Sequence, residues 1–418
     1  MRLFYQIFIK FYPLIIRLAS PFNEKAQKWV LGRRQSFSLL ENFVANNRRP
    51  IIWMHCSSLG EFEQGLPLLE QLKSTYANYA IVVSFFSPSG YEVRKNHPIA
   101  DLSCYLPMDS QYHAERWLNL LQPRMAIFIK YEFWFHYLYA LKKRQITCLL
   151  VAAIFRNDQV FFRWYGGFYR NMLTYFTAIM VQDADSLALL QRIGLTATTS
   201  IVGDTRFDRV ICIAQLAVPI PILVEFLSAQ PAIICGSTWL NDDKAIAAFA
   251  HHHSAAKYII APHDISEKRI MECMKLYPNP ILYTEWQQTS SEKQQAAQTL
   301  IMNTMGMLSS IYQYAAIAFI GGGFDSGGIH NTLEAAVYGV PVVFGPVYQK
   351  YLEAIELVEN GGAIVSTTPE KLSGIFTTLL QQDKRETTGA IAKHYVIEKA
   401  GAVEKVVAFI QANRLLTN

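Results

Sequence analysis

A chain of 418 residues that is 51% hydrophobic and only 17% charged has room for two domains with sizeable cores, which excludes disordered and fibrous classes. The net charge of +5 is modest, and the basic residues form no aromatic-interleaved stripe. This suits anionic substrates or an anionic membrane surface and argues against nucleic acid. The six cysteines (Cys56, Cys104, Cys148, Cys212, Cys235, Cys273) lack CxxC spacing, so reduced thiols are expected rather than a disulfide framework or a zinc site.

The opening stretch MRLFYQIFIKFYPLIIRLAS is strongly apolar but carries Lys10, Pro13 and Arg17. A spanning helix needs ~20 mostly apolar residues, and no small-residue cleavage site follows, so neither a simple span nor a removed signal peptide is expected. An amphipathic anchor on anionic headgroups fits; a buried first helix is the bland alternative. Arg33-Arg34 and Arg48-Arg49 extend the basic character. IIWMHC (51–56) is the first clear strand, and Ser57-Ser58-Leu59-Gly60-Glu61 turns it into a helix with Phe62, Leu66, Leu69 and Leu72 on one face. Glu61 has two readings. A carboxylate at a strand-to-helix tip can take a proton from an attacking hydroxyl, and Ser58 to Glu61 also has the spacing of a capping box. Further apolar runs at 80–86, 125–130, 148–154 and 178–183, separated by helical segments, are the pattern of a doubly wound parallel sheet. An aromatic-rich helix is expected over 161–176, another from 183, and 200–208 closes the first half.

Residues 211–230 lose this rhythm, and the two prolines of AVPIP mark a linker. Strands resume at 232–237, 257–263, 280–285, 299–303, 315–323, 341–346 and 363–367, and a helical tail runs from 387. His251-His252-His253 reads as a solvated helix end, because three consecutive histidines cannot face one ion from a regular helix. Ser237-Thr238, Pro262-His263, Thr304-Met305-Gly306 and the glycine loop 321–328 all follow strands of this half and should open on one edge. In GGGFDSGGIHNTLEAA (321–336), Asn331 is a candidate N-cap of a helix over 332–338, with Glu334 three residues on and Asp325 as a turn residue. Free N–H groups at such a helix start make an anion site. The spacing is neither GxGxxG nor a P-loop, so a phosphate-bearing donor is favoured over ATP chemistry. The expected architecture is α/β, two successive Rossmann-like halves with parallel sheets and a ligand cleft between them at the strands' carboxyl ends.

The order of these pieces resembles the 3-deoxy-D-manno-octulosonic acid (Kdo) transferases of lipopolysaccharide synthesis, glycosyltransferases of the two-Rossmann-domain GT-B type. The resemblance rests on SSLGE (57–61), YEFW (131–134), VGDTRFD (202–208), GSTW (236–239), APH (261–263), NTMGML (303–308) and FIGGGFDSGGIHNTLEAAVYGVPVVFGP (319–346), which run in family order over nearly the whole chain. It implies Glu61 as catalytic base, with Ser58, Gly60 and Glu132 on the acceptor side. It implies that Ser237, Thr238, His263, Met305, Gly306, Asn331 and Glu334 hold the CMP part of the donor, Glu334 accepting from the ribose, while N–H groups near Gly321, Gly322, Gly323, Gly327 and Gly328 face the phosphate or sugar carboxylate. Lys130 stands where many members have an acid, and Asp264 follows His263 where an arginine-bearing P-R-H is common.

The implied domains are a membrane-associating segment and basic helix (1–34), an acceptor domain (35–210), a linker (211–230), a CMP-sugar donor domain (231–386) and a helical segment (387–418) packing back toward the acceptor domain. The implied reaction moves Kdo from CMP-Kdo to a lipid A precursor (lipid IVA) with inversion, with no cofactor and no metal, at the cytoplasmic face of the inner membrane. The partners are then CMP-Kdo, the lipid acceptor and an anionic membrane surface, with no nucleic acid. The alternatives are a GT-B transferase using a UDP- or GDP-sugar, and a non-catalytic nucleotide-sugar binding module at the membrane.

Overall fold

The computed structural model describes residues 1–417. Two compact units result: one comprises Met1–Arg209 with the chain from Ala400 onward, the other Val210–Lys399. In the first unit, β1 (Ile51–Cys56), β2 (Ala80–Phe85), β3 (Leu102–Tyr105), β4 (Met125–Ile129), β5 (Thr147–Ala153), β6 (Ala178–Val181) and β7 (Thr199–Ile201) form a parallel sheet of order β3-β2-β1-β4-β5-β6-β7. The apolar runs of β1 and β4 are buried at every position because helices cover both faces of the sheet. Trp53, Trp117, Phe128 and Tyr137 fill one side; Met54, Phe62, Leu66 and Leu69 fill the other, where Val406 and Ile410 of the helix Ala402–Ala412 join them.

The second unit repeats the scheme with β8 (Ala232–Thr238), β9 (Lys257–Pro262), β10 (Pro280–Leu282), β11 (Thr299–Ile301), β12 (Ala315–Ile320), β13 (Val342–Phe344) and β14 (Ala363–Val365), ordered β10-β11-β9-β8-β12-β13-β14. All its pairings are parallel. The two-Rossmann reading therefore holds, with local corrections. Strand β3 was not foreseen. The aromatic stretch 161–176 is a short 3-10 turn, Val160–Phe162, followed by the helix Gly167–Leu173. Residues 211–230, expected as a linker, hold the end of the helix Thr205–Gln215 and the helix Pro221–Leu227, whose proline sits at its first position. The boundary expected at 387 falls inside the helix Gln382–Lys399, which belongs to the second unit, and the boundary expected at 34 falls inside the helix Glu24–Asn46.

The first helix, Arg2–Ala19, accommodates Pro13 and lies on the first unit with Tyr5 and Ile9 buried. Tyr5 Oη bonds to Asp109 and accepts from the Phe135 N–H at 3.1 Å. Asp109 in turn accepts from the N–H groups of His136 and Tyr137 at 3.0 Å each, capping the helix Phe135–Lys143 from outside its own sequence. Its other side leaves Leu3, Phe4, Phe8, Phe11, Ile15 and Leu18 each at least half exposed. Among the described residues no helix is long and apolar enough to cross a membrane.

Candidate functional site

In the first unit, strand order reverses between β1 and β4, which are paired neighbours. The loops leaving such adjacent strands diverge and open a crevice at the carboxyl edge. The loop after β1 carries Ser57–Glu61. The one after β4 turns through Lys130 in the left-handed region (φ 65°), unusual for a side-chain-bearing residue, and delivers Glu132. Ser58 caps the helix Leu59–Thr75, and the capping box is complete: Ser58 Oγ accepts from the Glu61 N–H at 3.5 Å, and Glu61 Oε2 accepts from the N–H groups of Ser57 and of Ser58, the latter at 3.2 Å. Both bonds to the carboxylate use Oε2, and neither uses Oε1. Gly60 has open space around it, since a Cβ there would meet nothing within 4 Å.

Burial, and then the negative charge of Glu132, push the Glu61 carboxyl up to about 7, against the opposing pull of the Ser57 and Ser58 N–H groups and of Lys130. A carboxyl poised there is suited to exchange a proton near neutrality. Glu132 itself is buried, 5% exposed, rather than lining an open surface. Its Oε2 lies 2.9 Å from His55 Nε2 and accepts from Trp134 Nε1 at 2.6 Å. Neither partner was singled out from the sequence. The available signal was a lone histidine inside the otherwise apolar run IIWMHC.

In the second unit the equivalent reversal lies between β8 and β12. Ser237, at the end of β8, is also left-handed (φ 55°). Ser237, His263, Met305 and Gly306 line one cavity of about 280 Å³ together with His330. The rings of Trp239 and His263 stack at 4.6 Å, as do those of His263 and His330. Burial, and then His263, lower the proton affinity of His330. Thr238 is fully buried, with its hydroxyl near Asp243, and does not line this cavity.

The glycine loop also departs from expectation. The helix after it, Leu333–Ala336, is a single turn beginning after Thr332, so Glu334 sits at its second position and the helix dipole is small. Asn331 still closes the turn, its Oδ1 accepting from the Leu333 N–H at 3.1 Å and its Nδ2 donating to Glu334 Oε1 at 3.0 Å. Several loop N–H groups are already spent. Gly321 donates to the Gly236 carbonyl at 2.9 Å, Gly322 to Asp242 Oδ2 at 2.8 Å and Gly328 to the Asp325 carbonyl at 3.4 Å. The N–H groups of Gly323 and Gly327 have no acceptor among the described residues. Asp242, unforeseen from sequence, is fully buried and also accepts from the Trp239 N–H at 2.9 Å, so one carboxylate fixes both the start of the helix Leu240–Ala250 and the glycine loop. Its burial raises it to about 6. Among the described residues no group of three or more His, Cys, Asp and Glu is placed to hold a metal ion. His253 is stacked on Phe249 at 3.7 Å.

Residues 32–209 match the family model described as 3-deoxy-D-manno-octulosonic-acid transferase (kdotransferase). The chain is 27% identical over 369 residues to the 3-deoxy-D-manno-octulosonic acid transferase of Chlamydia trachomatis serovar A, covering 85% of this chain and 84% of that one. It is 24% identical over 416 residues to the enzyme of the same description from Haemophilus influenzae, covering 96% and 95%. The crystal structure of UDP-GlcNAc 2-epimerase from Neisseria meningitidis bound to UDP-GlcNAc has the same fold, with a TM-score of 0.62 at 14% identity over 87% of this chain and 100% of that chain.

Proposed function

We propose that the chain is a 3-deoxy-D-manno-octulosonic acid (Kdo) transferase, as the family model over residues 32–209 and its curated relatives support, and that it moves Kdo from CMP-Kdo to a hydroxyl of a lipid A precursor, lipid IVA, in lipopolysaccharide synthesis. The observation that carries the reading is Glu61, a part-buried carboxyl at the strand-order reversal of the first unit with its proton affinity near neutrality. Glu61 takes the proton of the acceptor hydroxyl as that oxygen attacks the anomeric carbon opposite the departing CMP, inverting the centre. The leaving phosphate is already ionised, so it needs electrostatic support rather than an acid. In the second unit the N–H groups of Gly323 and Gly327 are free to give it, with Ser237 and His263 lining the adjoining cavity for the nucleotide and Glu334 beside Asn331 for the ribose.

The test is mass spectrometry of the product formed from CMP-Kdo and a tetraacylated precursor, with CMP and UDP as competitors. Addition of Kdo inhibited by CMP supports the reading, and stronger inhibition by UDP overturns the donor assignment. A pH profile is a second check. The base must be ionised to act, so kcat/KM should fall as pH drops through an acid limb near the value of about 7 held by Glu61. A limb near the usual carboxylate value of ~4.3 would contradict this.

We further assign the exposed face of the helix Arg2–Ala19, with Lys10 and Arg17, to the anionic cytoplasmic face of the inner membrane. Replacing Phe4, Phe8 and Phe11 together by serine is expected to weaken co-sedimentation with phosphatidylglycerol-containing vesicles by about tenfold or more, since each buried aromatic contributes roughly 1.5–3 kcal/mol. Unchanged sedimentation would remove the helix from that role.

A further inference from the structure

His55 is fully buried in the middle layer of the first unit. A ring with two polar nitrogens is tolerated there only if both are bonded. Nδ1 lies 3.0 Å from the Ser84 carbonyl oxygen and 2.9 Å from Ser84 Oγ, across the β1–β2 register that pairs the two residues. Trp53 Nε1 donates to Ser84 Oγ at 2.8 Å, which leaves the serine hydroxyl hydrogen free to point at Nδ1. Ser84 therefore serves the ring in either form: the carbonyl accepts from a protonated Nδ1, and the hydroxyl donates to a bare one.

On the other side, Nε2 stands 2.9 Å from Glu132 Oε2. Trp134 Nε1, a donor only, is 2.6 Å from the same oxygen and 3.0 Å from Nε2. Without a hydrogen between them, Nε2 and Oε2 would set lone pair against lone pair. We propose that His55 is a positioning residue for the transfer: its Nε2 hydrogen, directed at Glu132 Oε2, holds that carboxylate in place beside Glu61. The proposal rests on the reading of Glu61 as base. The other ionisable groups around the pair are Cys56, kept a neutral thiol by burial, Lys130, which favours the charged form of Glu61, and Tyr131, with Arg156 and Asp183 beyond it. The carboxylate so held acts on Glu61 as a nearby negative charge and makes it hold its proton more tightly.

Two measurements test this on the full-length protein. The first is ¹⁵N NMR of histidine-labelled wild-type enzyme, with His55 assigned by its loss in His55→Gln. Nε2 is expected to carry a hydrogen at neutral pH, seen as its one-bond ¹⁵N–¹H coupling, with the acceptor Glu132 Oε2 facing it; a bare Nε2 there overturns the proposal. The second is the pH profile of kcat/KM. In His55→Phe, Glu132 loses the partner that holds it beside Glu61, so its charge acts less strongly there and the acid limb should move down by about half a unit or more. In His55→Gln the side-chain amide can donate to the same oxygen and should return the limb close to its wild-type position. A limb unmoved in His55→Phe, or displaced equally in both variants, overturns the proposal. If Glu61→Gln keeps its activity, the base reading fails while the NMR result stands on its own.

Discussion

Glu61→Gln is expected to lower transfer by about 10²–10⁴-fold, the usual contribution of a positioned general base, in a protein that folds normally. The substitution separates the two jobs this side chain holds. A glutamine at the third helical position completes a capping box as well as glutamate does, so the bonds from Ser57 and Ser58 survive and only the proton-accepting capacity is lost. Stability should even rise at alkaline pH. A carboxyl raised by folding to about 7 stabilises the folded state below its unfolded value, and that contribution is lost as pH rises through about 7. Above that, the wild-type enzyme carries a buried charge beside Glu132 that glutamine removes. At pH 8 the variant should therefore melt higher than wild type by calorimetry, and lower relative to that at pH 5. Transfer close to wild type, or a melting temperature that falls at pH 8, would count against the assignment.

Gly323→Ala should be the most damaging change in the second unit. A Cβ on Gly323 would stand 2.5 Å from the Gly345 nitrogen and 2.7 Å from its Cα, and these are backbone atoms that cannot swing aside. The loop must shift, at a cost of about 1–3 kcal/mol, and the shift displaces one of the two glycine N–H groups that the proposed function gives to the donor. Urea unfolding should report the first effect, and a rise of about tenfold or more in the CMP dissociation constant the second, the equivalent of ~1.4 kcal/mol. Gly327→Ala is the control: its Cβ meets nothing within 4 Å and its φ is ordinary, so stability should stay within about 0.5 kcal/mol of wild type. Equal damage from both would mean that the loop tolerates neither for some reason other than backbone crowding.

Most strands of both sheets were legible because fully buried parallel strands are continuous apolar runs, and the order of motifs pointed to the family. What stayed hidden was set by partners distant in sequence. Strand β3, LSCY, has partly exposed residues and no apolar run to announce it. The helix after the glycine loop is one turn long although its residues favour more, because Gly339, at φ +77°, and Pro341 lead the chain into β13 instead. Spacing alone left Glu61 divided between cap and base, and the geometry shows that one oxygen makes the cap. His55 and Asp242 were hidden in different ways. A single polar residue in the apolar run of β1 shows that something must satisfy it, and only the fold shows what, whereas Asp242 looks like one more acid of a helix start until the glycine loop is brought against it.

The fastening of Tyr5 to Asp109 has a mechanical meaning. The first helix is bolted to the opening turn of Phe135–Lys143 rather than hung from the domain on a slack tether. That turn begins one residue after Trp134, whose indole grips Glu132. If that helix takes the membrane-facing role proposed for it, a lipid surface that tilts it would act on a short, stiff lever, and the far end of the lever is a carboxyl that, after burial, helps to raise the proton affinity of Glu61.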